Sequence, residues 1–226
     1  MSKISVIIPV YKEKSLGLLV QQIQSLASPE ELEMIVCDGE SNGSSIRVIK
    51  DKRVMTLTAS KGRGRQMNAG AKMATGDILV FLHADTILPK VAFQKIKECM
   101  REGTQVLGAF KVEMDADSLL LKLISKATTW RSQLTKTPYG DQAFFISRKN
   151  FELEKGFMEI PLLEDVEFVR RLKKRNYKVR IVDAVALTSA RRWKRVGLFK
   201  CTLINRWITF LYWLGVSPEK LAKLYK

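Results

Sequence analysis

Over the first hundred residues, short apolar runs alternate with stretches whose apolar positions recur at helical spacing. Ile4–Ile8 is an almost continuous apolar run, as expected of a strand covered on both faces. Leu16, Leu19, Val20, Ile23, Leu26 and Ala27 then follow a helical period. Met34–Cys37 reads as a second strand, closing at Asp38-Gly39, and Val54–Thr58 as a third, with a short helix over Ser44–Lys50 between them. Gln66–Ala74 has helical character, Ile78–Leu82 is a fourth buried strand, and Pro89 opens a helix reaching about Met100. This β-α-β-α order predicts an α/β fold with a mostly parallel central sheet and helices on both faces, Rossmann-like in its handedness.

Ligands in such sheets sit outside the carboxyl ends of the strands. Pro9–Glu13, Asp38–Asn42, Lys61–Arg65 and His83–Asp85 all fall there. The second half is less regular. Val106–Met114 reads as a strand with antiparallel character, Leu119–Trp130 as a helix, Gln142–Ile146 as a strand, Glu164–Arg175 as a helix and Val179–Val182 as a late strand. Arg191–Leu214 reads as one long helix, basic first and apolar after. The expected division is a main domain over 1–190 and a helical appendage over 191–226.

Charge adds a constraint. The 226 residues hold 39 Lys+Arg against 23 Asp+Glu, a net charge of +16. Nucleic acid, an anionic membrane surface and phosphorylated small molecules would each suit that balance. Cys37, Cys99 and Cys201 are far apart and form no CxxC pair, which argues against a zinc site. The N-terminal apolar run is too short for a signal peptide, so a reducing cytoplasm is the expected setting. Leu198–Leu214 is interrupted by Lys200, Asn205 and Arg206 and falls short of the roughly 20 residues a membrane span needs.

Several residues carry candidate chemistry. Asp38 before Gly39 is either a turn residue or a carboxylate for a nucleotide base edge. Lys61, Arg63 and Arg65 alternate with Gly62 and Gly64 before a helix, a pattern that suits either a diphosphate or a solvated basic loop. His83 and Asp85 lie two apart after a strand and can reach one metal ion; magnesium favours the carboxylate, manganese tolerates the histidine. Glu164-Asp165 opens a helix and suits an N-cap, a general base, or both. Arg191-Arg192-Trp193 fits a clamp on a leaving diphosphate or a surface cluster.

In order, these segments resemble inverting family 2 glycosyltransferases of the GT-A fold. Ser5–Glu13 resembles their opening strand, and Gly62–Gly70 their second signature. Ala74–Asp85 resembles the strand that delivers their DxD motif. Gly140-Asp141-Gln142 and Leu163-Glu164-Asp165 resemble the acceptor-side segment and the ED motif. The resemblance covers roughly residues 4–195.

It implies a nucleotide-sugar donor, with Pro9, Tyr11 and Glu13 lining the base and ribose pocket and Asp38 holding the base edge. Arg63, Arg65 and Asn68 would lie near the ribose and diphosphate, with Arg191 and Arg192 also on the donor side. Asp85, with His83, would bind a divalent magnesium or manganese ion. Asp165 would be the catalytic base with Glu164 beside it, and Gly140, Asp141 and Trp193 would serve an acceptor the sequence does not name. The DxD motif reads His83-Ala84-Asp85 here, one carboxylate short, and His83 is the sole histidine. Phe81–Thr86, Gly140–Gln142 and Thr188–Trp193 together resemble a subfamily of small bacterial transferases encoded near radical-SAM enzymes and assigned to arsenosugar biosynthesis.

Two rivals remain. A sugar-phosphate nucleotidyltransferase shares the sheet, the glycine-basic loop and the metal carboxylate, but carries the loop after its first strand. A non-enzymatic nucleic-acid binder would use the run Arg170–Arg180, although no specific nucleic-acid module is recognisable. The terminal helix has a narrow polar stripe of Thr202, Asn205, Arg206 and Thr209. Its wide apolar remainder is expected to be buried against the domain, in a homodimer seam or in a peripheral membrane contact on the inner face.

Overall fold

The computed structural model describes residues 2–13, 16–116 and 118–225. Strand β1 (Ile4–Val10) is buried throughout and is followed by α1 (Leu16–Gln24), β2 (Leu32–Asp38), β3 (Val54–Thr58), α2 (Arg63–Met73) and β4 (Ile78–Phe81). Next come β5 (Thr86–Ile87), α3 (Ala92–Met100), β6 (Val106–Asp115), α4 (Leu119–Thr135) and β7 (Phe144–Ser147). Helices α5 (Arg148–Leu153) and α6 (Glu164–Lys174) precede β8 (Lys178–Ser189), and α7 (Arg191–Val196), α8 (Leu198–Trp213) and α9 (Pro218–Leu224) complete the chain.

The strands form one 8-stranded sheet in the order β3-β2-β1-β4-β7-β6-β8-β5. Strands β1 to β4 pair in parallel, β7 runs antiparallel to both β4 and β6, and β8 pairs in parallel with β6. The sheet is therefore mixed and mostly parallel, as expected. The apolar run of β1 is explained by its two covered faces. Ile4, Val6, Ile8 and Val10 join the core beneath α1 and α3, while Ile7 joins the opposite core with Met67 of α2 and Phe168 of α6. Alternate side chains of a strand point to opposite faces, so both must be apolar.

Some expectations change. Val106–Met114 is antiparallel only to β7. Residues 140–142 form a short 3-10 turn, and β7 starts after Ala143, whose φ is +47°. The late strand extends well beyond Val182, because a bulge opposite Phe110 and Lys111 lets β8 continue to Ser189. The terminal segment is not one helix: it breaks at Gly197, which has φ +92°. A left-handed backbone there costs glycine little.

The expected burial of α8 against the domain is also overturned. Cys201 and Ile208 are buried and Asn205 is half-buried, whereas Leu203, Trp207, Phe210, Trp213 and Leu214 are exposed. Three members of the polar stripe are half-buried: the Tyr225 hydroxyl donates to Asn205 Oδ1 at 3.1 Å, and Thr202 and Thr209 close onto backbone carbonyls of their own helix, while Arg206 stays exposed. Among the described residues, no helix is long and apolar enough to cross a membrane.

Candidate active site

The carboxyl ends of β1, β2 and β4 lie side by side on one rim. Val10 pairs with Asp38 at the ends of β1 and β2, and the Leu82 N–H just past β4 donates to Ile7 O at 3.0 Å. Buried Gln66 ties the rim together: its Nε2 donates to Val10 O at 2.6 Å and to Cys37 O at 2.8 Å. The rim frames a cleft of about 190 Å3 lined by Pro9, Tyr11, Glu13, Arg63, Gln66, His83, Asp85 and Arg191. Most of the donor-side residues singled out from the sequence thus meet in one place.

Asp38 is fully buried at the end of β2. Its Oδ1 accepts from the Glu40 N–H at 2.9 Å and its Oδ2 from the Ser45 N–H at 2.7 Å, so the carboxylate anchors the loop after its strand. Tyr11 projects from the rim, with Lys61 Nζ 4.2 Å from its ring centroid.

The glycine-basic loop divides its cations. Gly62 has φ +139°, and α2 begins at Arg63. A side chain on Gly64 would meet Met158 O at 2.6 Å, so the loop can lie this close to its neighbour only with glycine there. Arg63 faces the cleft and acts electrostatically on His83, Asp141 and Glu164. Arg65 points elsewhere, pairing with exposed Glu159 at 3.3 Å. Asn68, expected beside the donor, has both ends of its amide occupied: Nδ2 donates to Phe157 O at 2.8 Å, and Oδ1 accepts from the Phe157 N–H at 2.9 Å. It acts as a clip between α2 and the loop after α5.

The acids gather next to the cleft. Asp165 Oδ2 accepts from the Gly140 N–H at 2.7 Å, and Oδ1 from the Val166 N–H at 2.8 Å. A Cβ on Gly140 would lie 2.9 Å from His83 Nε2 and 3.3 Å from Asp165 Oδ2. Gly140 therefore sits between the cleft wall and the acid, where no side chain fits. Leu163 enters α6 with φ +66°, a left-handed turn that presents Glu164 and Asp165 at the helix start.

Burial, then the charge of Asp165, pushes Glu164 up to about 7. The same two causes raise Asp141 to about 6. Burial, with Arg63 nearby, pushes His83 down to about 3, so its imidazole is neutral. Buried Asp141 Oδ1 and Trp193 Nε1 have no hydrogen-bond partner among the described residues.

Arg191 closes the other side of the cleft. Its Nη2 lies 3.2 Å from Glu13 Oε2 and 3.8 Å from Asp85 Oδ2. Arg192 turns away: its guanidinium stacks 3.9 Å from the Tyr225 ring centroid and bonds the Tyr225 hydroxyl. The described residues contain no cluster of three or more metal-ligand side chains. Asp85 with neutral His83 nevertheless suits a cation that brings phosphate oxygens with it, since magnesium sites commonly use one or two carboxylates plus substrate phosphates. Gln66 and Tyr225 were not singled out from the sequence. A glutamine in a helix carries no visible signal, and Tyr225 reaches this region only through the packing of α9.

A larger cavity of about 370 Å3 lies apart from these groups, between the segment 153–158 and Arg171 and Arg175. Both arginines face the buried Glu154 carboxylate.

Comparison with known proteins settles the family. The model of "Glycosyl transferase family 2" matches residues 5–152. The chain belongs to glycosyl transferase family 2.

Among curated relatives, the undecaprenyl-phosphate 4-deoxy-4-formamido-L-arabinose transferase of Pectobacterium atrosepticum is 29% identical over 136 residues, 54% of this chain and 41% of the relative. The Proteus mirabilis protein of the same name is 29% identical over 145 residues, 56% and 44% of the two chains. This family 2 chain thus spans less than half the length of those relatives. Among solved structures, residues 1–349 of S. aureus TarS in complex with UDP-GlcNAc superpose with a TM-score of 0.65 at 17% identity, covering 83% of this chain and 58% of that fragment. The mannosyltransferase PcManGT of Pyrobaculum calidifontis, in complex with GDP-Man and Mn2+, gives 0.63 at 18% identity, covering 82% and 56%. These likenesses establish the GT-A fold.

Neither rival reading is favoured. The glycine-basic loop follows β3 and opens α2. The basic run 170–180 is largely committed within the protein: Arg171 pairs with Glu167, Arg175 with Glu154 and Arg180 with Glu102, and Arg170 stacks on Trp213.

Proposed function

We propose that this chain transfers a sugar from a nucleotide-sugar donor to an acceptor hydroxyl, inverting the anomeric carbon. The observation that carries the reading is the cleft itself: Tyr11, Arg63, His83, Asp85 and Arg191, from four separate segments, line one opening beside the acid pair of α6. Pro9 and Tyr11 bound the base and ribose, and the loop anchored by Asp38 closes the base end. Arg63 and Arg191 neutralise the diphosphate, whereas Arg65 and Arg192 are committed to Glu159 and Tyr225. Fixed cations aimed at developing negative charge act strongly in a partly dry site.

Asp165 accepts the proton of the acceptor hydroxyl. That oxygen bonds to the anomeric carbon as the bond to the diphosphate oxygen breaks. Glu164, driven toward its protonated form, spares Asp165 a second negative charge. Asp141 and Trp193 offer the acceptor one unpaired acceptor atom and one unpaired donor atom. A magnesium or manganese ion would be held by Asp85 and His83 and would supply further neutralisation of the leaving diphosphate.

The reading extends to the arsenosugar-associated subfamily, supported by Phe81–Thr86, Gly140–Gln142 and Thr188–Trp193. It also extends to a reducing cytoplasmic setting, supported by the three buried free cysteines.

The test is a screen of nucleotide sugars for thermal stabilisation, since a ligand bound only to the native state raises apparent stability. The donor so found is then used with Asp165→Asn. Donor binding should persist while turnover falls by about a thousandfold, within the range expected of a general base. Stabilisation by no nucleotide sugar, or unchanged turnover in Asp165→Asn, overturns the reading.

A further inference from the structure

We propose that α4 and α8 together form a docking face for an anionic lipid bilayer surface. The inference goes beyond the sugar-transfer reading and does not depend on it.

Helix α4 carries a second outward apolar stripe. Leu119, Leu123, Trp130 and Leu134 are 79%, 60%, 66% and 67% exposed, and their spacing places them along one side of the helix. Its inward side is held by Leu121, Ser125 and Ser132. The outward face of α8 matches it: Leu203, Trp207 and Phe210 are 71%, 55% and 51% exposed. The two helices adjoin through a small cluster of Met114, Leu121 and Ala190, against which Ile124, Trp193 and Leu198 pack. Apolar patches of this extent, rimmed by charge, are uncommon on surfaces that face only water.

Charge decides the occupant. Residues 118–140 hold four cations and no acid, and residues 184–218 hold six cations and no acid. Lys122 and Lys126 on α4, and Lys200 and Arg206 on α8, are exposed beside the apolar stripes. A second copy of this chain would set one such basic face against another. An anionic bilayer pairs lipid headgroups with these cations while the tryptophans and leucines enter the acyl boundary. Neither helix is suited to cross the bilayer, so the contact lies along its surface. The face also adjoins the donor cleft, because α7 begins with Arg191 at Glu13 and places Trp193 against the shared cluster.

The test sediments the full chain with vesicles of phosphatidylcholine plus phosphatidylglycerol, and with vesicles of phosphatidylcholine alone. Two double variants are compared with the parent: Trp207→Glu with Phe210→Glu, and Trp130→Glu with Leu134→Glu. Thermal unfolding confirms that each is folded. The parent should sediment with the anionic vesicles and be released by high salt, and each double variant should lose at least about tenfold in affinity. Asp165→Asn should sediment like the parent, which separates this proposal from the sugar-transfer reading. Failure of the parent to bind anionic vesicles at low salt overturns the proposal, as does unchanged binding by folded variants. A dimer in light scattering that Trp207→Glu with Phe210→Glu dissolves would make the face a contact between copies and equally overturn it.

Discussion

The main-chain N–H of Gly140 donates to Asp165 Oδ2 at 2.7 Å, while the space a Cβ would occupy on Gly140 lies 2.9 Å from His83 Nε2. One glycine therefore links the turn before β7, an acid in the first turn of α6 and the histidine just after β4. Gly140→Ala should push His83 and Asp165 apart without unfolding the core. Turnover is expected to fall by about tenfold or more, since small displacements of reacting groups are costly. Steady-state kinetics beside an unchanged far-ultraviolet dichroism spectrum would check it.

Glu164 makes stability depend on pH. Its folded-state value is raised from 4.5 to about 7, chiefly by burial and then by Asp165. The folded state holds this proton more tightly than the unfolded chain, so its contribution is complete below about 4.5 and lost as pH rises through about 7. Glu164→Gln removes the titration. The variant should match the parent near pH 4 and exceed it by on the order of 3 kcal/mol near pH 8. Denaturant unfolding across that range measures the difference.

Gln66 stabilises the rim by donating to two carbonyls on different strands. Gln66→Leu keeps the approximate volume and removes both bonds, although Val10 O still accepts from the Gly39 N–H at 2.9 Å. A loss of about 1–3 kcal/mol is expected in urea unfolding. Weaker binding of the donor found by the screen should accompany it, because the ends of β1 and β2 would loosen.

Arg191 bridges Glu13 and Asp85 across the mouth of the cleft. Arg191→Gln removes the cation we propose for the diphosphate and leaves the two acids without their shared guanidinium. Calorimetric affinity for the matching nucleoside diphosphate should drop by about tenfold, the worth of a charge-assisted contact. Arg65→Gln should change that affinity far less, since Arg65 pairs with Glu159 on the surface.

The alternation of apolar runs with helical periods was sufficient for the first four strands and for α1 to α3, because burial on both sheet faces demands near-continuous apolar strands. Of the segments read as strand ends, Pro9–Glu13, the glycine-basic loop through Arg63, and His83–Asp85 do line one cleft, since strand ends of a parallel sheet share one rim. Side-chain commitments were not legible. Nothing in a linear pattern distinguishes Arg63, which faces the cleft, from Arg65, which leaves it, or reveals that Asn68 is occupied by Phe157.

The terminal helices mark the boundary between the two kinds of information. Composition determined that α8 has a wide apolar surface and a narrow polar stripe, and glycine at 197 permitted a break. Only tertiary packing decided which side turned inward. Tyr225, arriving at the end of α9, meets Asn205 and holds that side of α8 toward the domain, leaving Arg206, Trp207 and Phe210 outside. Periodicity is a property of neighbours along the chain, whereas the choice of buried face depends on hydrogen-bond partners that sequence distance conceals.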